Sequence, residues 1–241
     1  VCLLTNNSTN WISVNNGQTY YTDVYSLACS GTNVFAATYM GVYLSTNNGA
    51  NWSQINVGLV FSYVWALDTD GTNIFAGTNG GGVYISTNNG TSWTAVKIGL
   101  TSKGIFALAH NGTNLFAGTL GNGVFLSTNN GTSWKAINNG LTNTYVHAIA
   151  VSGPNLFAGT YGGVFHSTNN GSSWEVINNG LTTTDVRALT VNGNTLFAGT
   201  SGGGVFSIAA GQNWTAINTG LTHSYVEALV VSGTNLFTGT N

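Results

Sequence analysis

The 241-residue chain has only 4% charged side chains, four Lys or Arg against six Asp or Glu, and a formal net charge of -2. So few basic residues argue against a nucleic-acid partner, which requires clustered lysines and arginines, and against a polybasic membrane-surface protein. Hydrophobic residues make up 42% of the chain. We therefore expect a folded domain with a substantial core, and no apolar run approaches the ~20 residues that would insert into a membrane as a helix.

A tryptophan recurs every 40 or 41 residues along the whole chain. It stands at Trp11, Trp52, Trp93, Trp134, Trp174 and Trp214. The repeats are rich in Gly, Asn, Ser and Thr and poor in the Glu, Lys and Arg that helices favour. A strand-type repeat of about 40 residues is typical of β-propeller blades. We therefore predict an all-β fold and one domain over residues 1–241.

The predicted strands recur in the same order in each repeat. The chain begins with "VCLL", which aligns with a third strand, and stops after "NLFTGTN", a second strand. A complete unit, read from Tyr145, contains "YVHAIAVSG", "NLFAGT", "GVFHST" and "SSWEVINNG", four short runs that are bounded by Gly, Asn or Ser. This order predicts a six-bladed β-propeller of four-stranded antiparallel blades, with the first blade closed by strands from both chain ends.

Two aromatic columns are expected to pack between neighbouring blades, since each blade buries both faces in a propeller. The first column contains Phe35, Phe75, Phe116, Phe157, Phe197 and Phe237. The second contains Tyr43, Tyr84, Phe125, Phe165 and Phe206.

The stretch "STNNGTSW" ends at Trp93 and again at Trp134, with near copies at two further tryptophans. Its pattern, Ser-x-Asn-x-Gly-x-x-Trp, resembles the Asp-box or bacterial neuraminidase repeat. The resemblance implies a turn between the third and fourth strands of each blade, away from the ligand-binding face. Ser and Asn side chains suit such a turn because they bond backbone amides, and Gly supplies a positive φ. Two copies depart from the pattern, at Leu4 and Ser8 and at Ala209, and we expect their turns to be the least rigid.

Proteins that carry this repeat include sialidases, glycosidases, receptors and secreted proteins, so the resemblance alone does not select a function. A sialidase of this kind would need three arginines, and the chain has only Arg187. A glycosidase needs two carboxyl groups that face one cleft, and no carboxylate is obviously placed opposite Glu227. The four histidines fall at different positions of their repeats, without metal-ligand spacing. We therefore expect no catalysis, no metal and no cofactor.

Positions that differ between repeats are the candidates for ligand binding. One column, near the start of the innermost strand, contains Tyr25, Trp65, Phe106, His147, Arg187 and Glu227. The loop between the second and third strands adds Tyr39 and Tyr161. Loops that enter the inner strand add Tyr63, Tyr145, Asp185 and Tyr225. Aromatic faces beside hydrogen-bonding groups suit sugars or peptides. The alternative is that the aromatic rings fill the channel while Arg187 and Glu227 simply pair.

The first functional hypothesis is a secreted, non-catalytic propeller that binds a neutral carbohydrate or protein ligand at its channel face. The second is a self-assembling subunit of an extracellular surface layer or filament, because low charge reduces repulsion between copies. A glycosidase that uses Glu227 is the third. Asn-x-Ser/Thr triplets such as Asn51-Trp52-Ser53 fit an extracellular or cell-surface location. Cys2 and Cys29 either form one disulfide or are buried small hydrophobic residues.

Overall fold

The structure is a computed structural model that describes residues 2–3, 12–17, 23–61 and 63–241, with only the backbone of residues 2–3. Every regular element in these residues is a β-strand. Five antiparallel four-stranded sheets follow one another along the chain, between two two-stranded pairs. The prediction of an all-β chain with four-stranded antiparallel sheets is confirmed. Within the described residues no helix has the length and apolarity of a membrane span.

The strands are numbered in chain order. The N-terminal pair consists of β1 (Cys2–Leu3) and β2 (Ile12–Ser13). The first four-stranded sheet contains β3 (Val24–Ser30), β4 (Asn33–Thr38), β5 (Gly41–Ser45) and β6 (Ser53–Gln54). The second contains β7 (Val64–Thr69), β8 (Ile74–Thr78), β9 (Gly82–Ser86) and β10 (Thr94–Ala95). The third contains β11 (Ile105–Asn111), β12 (Asn114–Thr119), β13 (Val124–Ser127) and β14 (Lys135–Ala136).

The fourth sheet contains β15 (Val146–Ser152), β16 (Asn155–Thr160), β17 (Gly163–Ser167) and β18 (Glu175–Val176). The fifth contains β19 (Val186–Asn192), β20 (Thr195–Thr200), β21 (Gly204–Ala209) and β22 (Thr215–Ala216). The C-terminal pair consists of β23 (Val226–Ser232) and β24 (Asn235–Thr240). In each sheet the strands pair in chain order, so that each sheet is a meander.

The sheets pack against one another through their first strands, in the order β3, β7, β11, β15, β19 and β23. Phe35, Phe75 and Phe116 are fully buried, as are Phe165 and Phe206 of the second aromatic column. Burying an aromatic side chain stabilises the fold by roughly 1.5–3 kcal/mol relative to leaving it exposed. The aromatic columns therefore form the contacts between sheets, as the sequence predicted for these positions.

The two ends of the row of sheets differ from its middle. Among the described residues β1 pairs only with β2, and β24 pairs only with β23. Phe237 belongs to the first aromatic column but is 41% exposed, and Val230 beside it is 58% exposed. The joining of both ends into one blade is not seen among the described residues, and it stays a prediction.

The eight-residue motif forms the turn between the third and fourth strands, which we call the motif turn. In the third sheet Ser127 Oγ accepts a hydrogen bond from Gly131 N at 2.8 Å, and Asn129 Oδ1 accepts one from Ser133 N at 2.9 Å. Gly131 has a φ of 82°. The indole of Trp134 donates to the carbonyl oxygen of Val96 in the preceding sheet at 2.9 Å. The motif therefore builds its own turn and also fastens one sheet to the next.

Two copies depart from the motif, and the structure describes one of them. Leu4 and Ser8 lie outside the described residues. In the fifth sheet Ala209 still accepts the backbone hydrogen bond from Gln212 N at 3.1 Å, but it has no side-chain oxygen to brace the turn. Cys29 is exposed, on a face of β3 that no described sheet covers, so its expected burial is wrong. The side chain of Cys2 lies outside the described residues, and the disulfide stays a prediction.

Candidate functional site

The variable column lies at an irregularity of the first strand in each sheet. In β15 the pairing with β16 shifts register between Val146 and Ala148, and the residue between them is His147. The same shift occurs in β3, β7, β11, β19 and β23. The residues at these shifts are Tyr25, Trp65, Phe106, Arg187 and Glu227. Bulges redirect a side chain and are over-represented beside active sites, so one backbone feature presents all six residues at the same edge.

The aromatic members of this column continue from sheet to sheet. Tyr25 lies 5.7 Å from Tyr63, centroid to centroid, and their hydroxyl oxygens are 3.2 Å apart. Tyr63 meets Trp65 edge-on at 5.8 Å. Trp65 stacks on Phe106 at 4.4 Å with an interplanar angle of 16°. These separations are at or near those of attractive aromatic pairs.

The row continues beyond Phe106. Its ring lies 4.9 Å from that of His147, and His147 meets Tyr161 edge-on at 4.5 Å. The guanidinium carbon of Arg187 lies 5.4 Å from the centroid of Tyr161, within the range of a cation–π contact. We call this row the aromatic ladder and the edge of the sheets that carries it the ladder face. The ladder consists of Tyr25, Tyr63, Trp65, Phe106, His147 and Tyr161.

The ladder has a half-buried layer and an exposed layer. Trp65, Phe106 and His147 are half-buried. The surrounding tyrosines are between 37% and 54% exposed, namely Tyr25, Tyr39, Tyr63, Tyr145, Tyr161 and Tyr225. Exposed rings with hydroxyl groups offer both an apolar surface and hydrogen bonds, which is the combination that sugars and peptides require.

The charged groups of the ladder face are paired differently from the expectation. Arg187 Nε and a terminal guanidinium nitrogen donate to the two carboxylate oxygens of Asp185 at 2.8 Å and 2.9 Å. The predicted salt bridge between Arg187 and Glu227 is therefore wrong, because the carboxylate two residues away satisfies the guanidinium fork. Burial alone would lower the pKa of Arg187, but the hydrogen bonds and charge of Asp185 raise it overall. Glu227 is exposed.

His147 has an unusual environment within the ladder. Its Nε2 atom is buried and has no hydrogen-bond partner among the described residues. Burial, and then the nearby charge of Arg187, lower the pKa of His147 to about 4. The imidazole is thus neutral at pH 7 and keeps one nitrogen available. At the other end of the ladder, the hydrogen bond to Tyr63 and burial raise the pKa of Tyr25 to about 12, so that the phenol stays neutral.

The sequence named all the residues of this face but not their arrangement. The structure brings together Tyr25, Trp65, Phe106, His147, Tyr161 and Arg187. Tyr39 and Glu227 belong to the same loops and bulges, but no ring contact within the described residues joins them to the ladder. Tyr63, which joins Tyr25 to Trp65, and Asp185, which pairs with Arg187, come from the loops that enter the inner strand and are part of this face. Both stand two residues before a bulge residue, and this spacing is the signal that marks them.

Metal-ligating side chains do not cluster in the part of the chain that the structure describes, where no group of three or more His, Cys, Asp or Glu occurs. The carboxylates are also dispersed. Asp68 lies 2.8 Å from His110 Nδ1, and Asp70 accepts hydrogen bonds from the backbone of Thr72 and Asn73. These groups have local structural partners.

No family model matches the chain, and no curated protein matches it either. Solved structures do. An ancestral GH74 enzyme is 25% identical with a TM-score of 0.72 over 90% of this chain. The extracellular domain of a proposed one component system from B. thetaiotaomicron is 16% identical with a TM-score of 0.77 over 92%. The GH74 xyloglucanase from Xanthomonas campestris is 14% identical with a TM-score of 0.76 over 95%.

The chain spans only part of each of these proteins. It covers 33% of the ancestral GH74 enzyme, 32% of the extracellular domain and 46% of the xyloglucanase. All three are β-propeller folds. The five meander sheets, packed through their first strands, have the same architecture, and the chain therefore has a propeller-type fold.

Proposed function

We propose that the chain is a non-catalytic β-propeller, closed as six blades, that binds a neutral ligand along the ladder face, with a carbohydrate as the first candidate. The observation that carries this proposal is the unbroken row of rings from Tyr25 to Tyr161, which runs across four sheets and is flanked by exposed tyrosines. A row of rings of this length suits an extended chain of units better than one small molecule.

The electrostatics of the ladder face support an uncharged ligand. Asp185 neutralises Arg187, and both Tyr25 and His147 are neutral at pH 7. Since so few charges are involved, binding is expected to depend little on salt and to survive chelators.

The similar proteins support the choice of ligand and location. GH74 enzymes occur twice among them, and one is a xyloglucanase. Xyloglucan oligosaccharides are therefore the first probe. One neighbour is an extracellular domain, which supports an extracellular or cell-surface location for this chain.

Calorimetry with xyloglucan oligosaccharides, after a screen on a glycan array, tests the proposal. Wild-type protein is expected to bind, and Trp65→Ala to bind several-fold more weakly, because ring stacking contributes about 0.5–1.5 kcal/mol beyond area burial. Val176→Ala, on an exposed outer strand, is the control and should bind normally. An array and a pull-down with no ligand above background would contradict the proposal.

A self-assembling subunit is the second candidate. The edge of β24, which pairs with no further strand of the described residues, and the exposed Phe237 and Val230 favour it, because an exposed edge can accept a strand from another copy. Exchange that does not close would propagate as a fibre. A sharp monomer peak on sizing at high concentration, without polymers by electron microscopy, would contradict this candidate.

A glycosidase is less favoured because Asp185 is held by Arg187 and no second carboxylate is paired across a cleft with Glu227 in the described residues. Incubating the xyloglucan oligosaccharides with the protein distinguishes the possibilities. Hydrolysis that disappears in Glu227→Gln would replace the non-catalytic proposal, and intact oligosaccharides would support it.

A further inference from the structure

The motif turn of the fifth sheet is one residue shorter than that of the fourth. Nine positions separate Phe165 from Trp174, and eight separate Phe206 from Trp214. Both phenylalanines pair with the residue that lies two positions beyond the tryptophan, so they are equivalent. Because Ile208 pairs as Ser167 does, the residue is missing from the turn itself, which reads "IAAGQNW" from Ile208 where the fourth sheet has "STNNGSSW" from Ser167.

The shorter turn does not pack tightly against the preceding sheet, as the other motif turns do. In the third sheet a Cβ atom on Gly131 would lie 2.9 Å from Val96 Cγ2, and in the fourth a Cβ on Gly171 would overlap the end of Ile137. Around the equivalent Gly211 no atom lies within 4 Å of that point. A cavity of about 510 Å³ opens here between the fourth and fifth sheets, and Ile177, the counterpart of Ile137, lines it.

One wall of the cavity is aromatic. The rings of Phe157 and His166 stack at 4.6 Å with an interplanar angle of 11°, and His166 Nε2 lies 2.9 Å from Asn155 Oδ1. In the first three sheets the position of His166 is held by an aliphatic side chain that packs into the core: Leu44, Ile85 and Leu126. Among the described sheets, a histidine stands in this aliphatic position at the interface where the following turn is shortened.

The facing wall is aliphatic, and the rim is polar. Leu196 and Ile208 of the fifth sheet line the cavity, and the exposed carboxamides of Asn194 and Gln212 lie at its rim. Neither carboxamide makes a side-chain hydrogen bond to the described residues, so both are available. No lining residue carries a formal charge, and burial lowers the pKa of His166, which keeps its ring neutral at pH 7.

We propose that this cavity is a second binding site, for a small uncharged aromatic molecule that carries a hydroxyl or amide group. The aromatic wall suits offset stacking, the aliphatic wall suits an apolar body, and the carboxamides suit one polar group. The volume lies within the range of small-molecule sites, about 300–1,000 Å³. The site lies at the opposite end of the strands from the ladder face. It is about 20 Å away along the seven residues of β15, and it is independent of the ligand proposed there.

Saturation-transfer NMR with benzamide and benzyl alcohol as probes, and benzoate as the charged comparison, tests this site on the whole chain. The two neutral probes are expected to bind saturably, and benzoate more weakly, because no cation lines the cavity. Ala209→Phe fills the cavity from the shortened turn. His166→Leu introduces the aliphatic residue type of the first three sheets, so it should fold at least as well as the wild type. Each is expected to weaken binding about tenfold or more.

Ala50→Phe is the matched control, because it places the same ring in an intact motif turn of the first sheet. It should bind the probes as the wild type does. Absence of saturable binding up to about 10 mM of either neutral probe would overturn the proposal. So would equal affinity in the wild type and His166→Leu, a comparison that remains decisive even where Ala209→Phe fails to fold.

Discussion

The edge of the sheets that carries the motif turns has constant side chains, whereas the ladder face at the other edge has variable ones. At the turn edge the motif turns of the first four four-stranded sheets use the same hydrogen bonds, from the Gly backbone N–H to the Ser hydroxyl and from the tryptophan indole to the preceding sheet. At the ladder face the backbone bulge is constant, but its side chain changes in every repeat. The repeated residues therefore build the fold, and we propose that the variable residues at the ladder face bind the ligand.

The largest effect is expected at the turn edge. Trp93 is 4% exposed and donates to the carbonyl oxygen of Ile55 at 2.7 Å. Trp93→Ala should lower the free energy of unfolding by roughly 3–5 kcal/mol, because it leaves a cavity and an unpaired carbonyl between two sheets. Urea unfolding measures this loss. A loss no greater than that of Trp65→Ala would remove the distinction between the two edges.

A glycine that recurs six residues after each motif tryptophan gives a finer comparison. Gly140 and Gly220 have φ values of 85° and 83°, so alanine is equally strained at both. A Cβ on Gly140 would overlap the backbone oxygen of Trp174 in the next sheet, whereas no described residue lies within 4 Å of that point at Gly220. In the closed ring that we propose, another sheet covers Gly220, so Gly220→Ala should lower the free energy of unfolding in urea about as much as Gly140→Ala does. A loss about 1–3 kcal/mol smaller at Gly220 would contradict the closed ring.

The ladder face should show a smaller, pH-dependent effect. The pKa of His147 is about 4 in the folded protein against an ordinary value of 6.5, so the folded state binds this proton more weakly than the unfolded state. The free energy of unfolding therefore keeps the full contribution of neutral His147 above pH 6.5, the ordinary pKa, and loses that contribution as the pH falls toward 4. His147→Phe should flatten this part of the profile. Urea midpoints at pH 7 and about 4.5 measure it, and an identical fall in both proteins would contradict the assignment.

The sequence predicted what depends on local pattern. The tryptophan spacing and the Gly and Asn punctuation indicated the strands and turns, because these signals act within one repeat. The ring contacts between Trp65, Phe106 and His147 depend on how neighbouring sheets are rotated, and no spacing within a repeat encodes that. The 40-residue interval before Trp214 equals the one before Trp174, whose motif turn is intact, so the spacing did not locate the missing residue; strand pairing located it, and packing showed that a cavity opens there beside Ile177.

The most direct test compares Trp65→Ala and Trp93→Ala in calorimetric titrations with xyloglucan oligosaccharides and in thermal unfolding. Trp65 is half-buried and stacks on Phe106, so its removal should weaken binding several-fold while lowering the unfolding free energy by only about 0.5–1.5 kcal/mol. Trp93→Ala should lose far more stability and, wherever it remains folded, bind as the wild type does. Equal losses of stability in both variants, with binding unchanged in both, would show that Trp65 is core and that the ladder face is not a binding site.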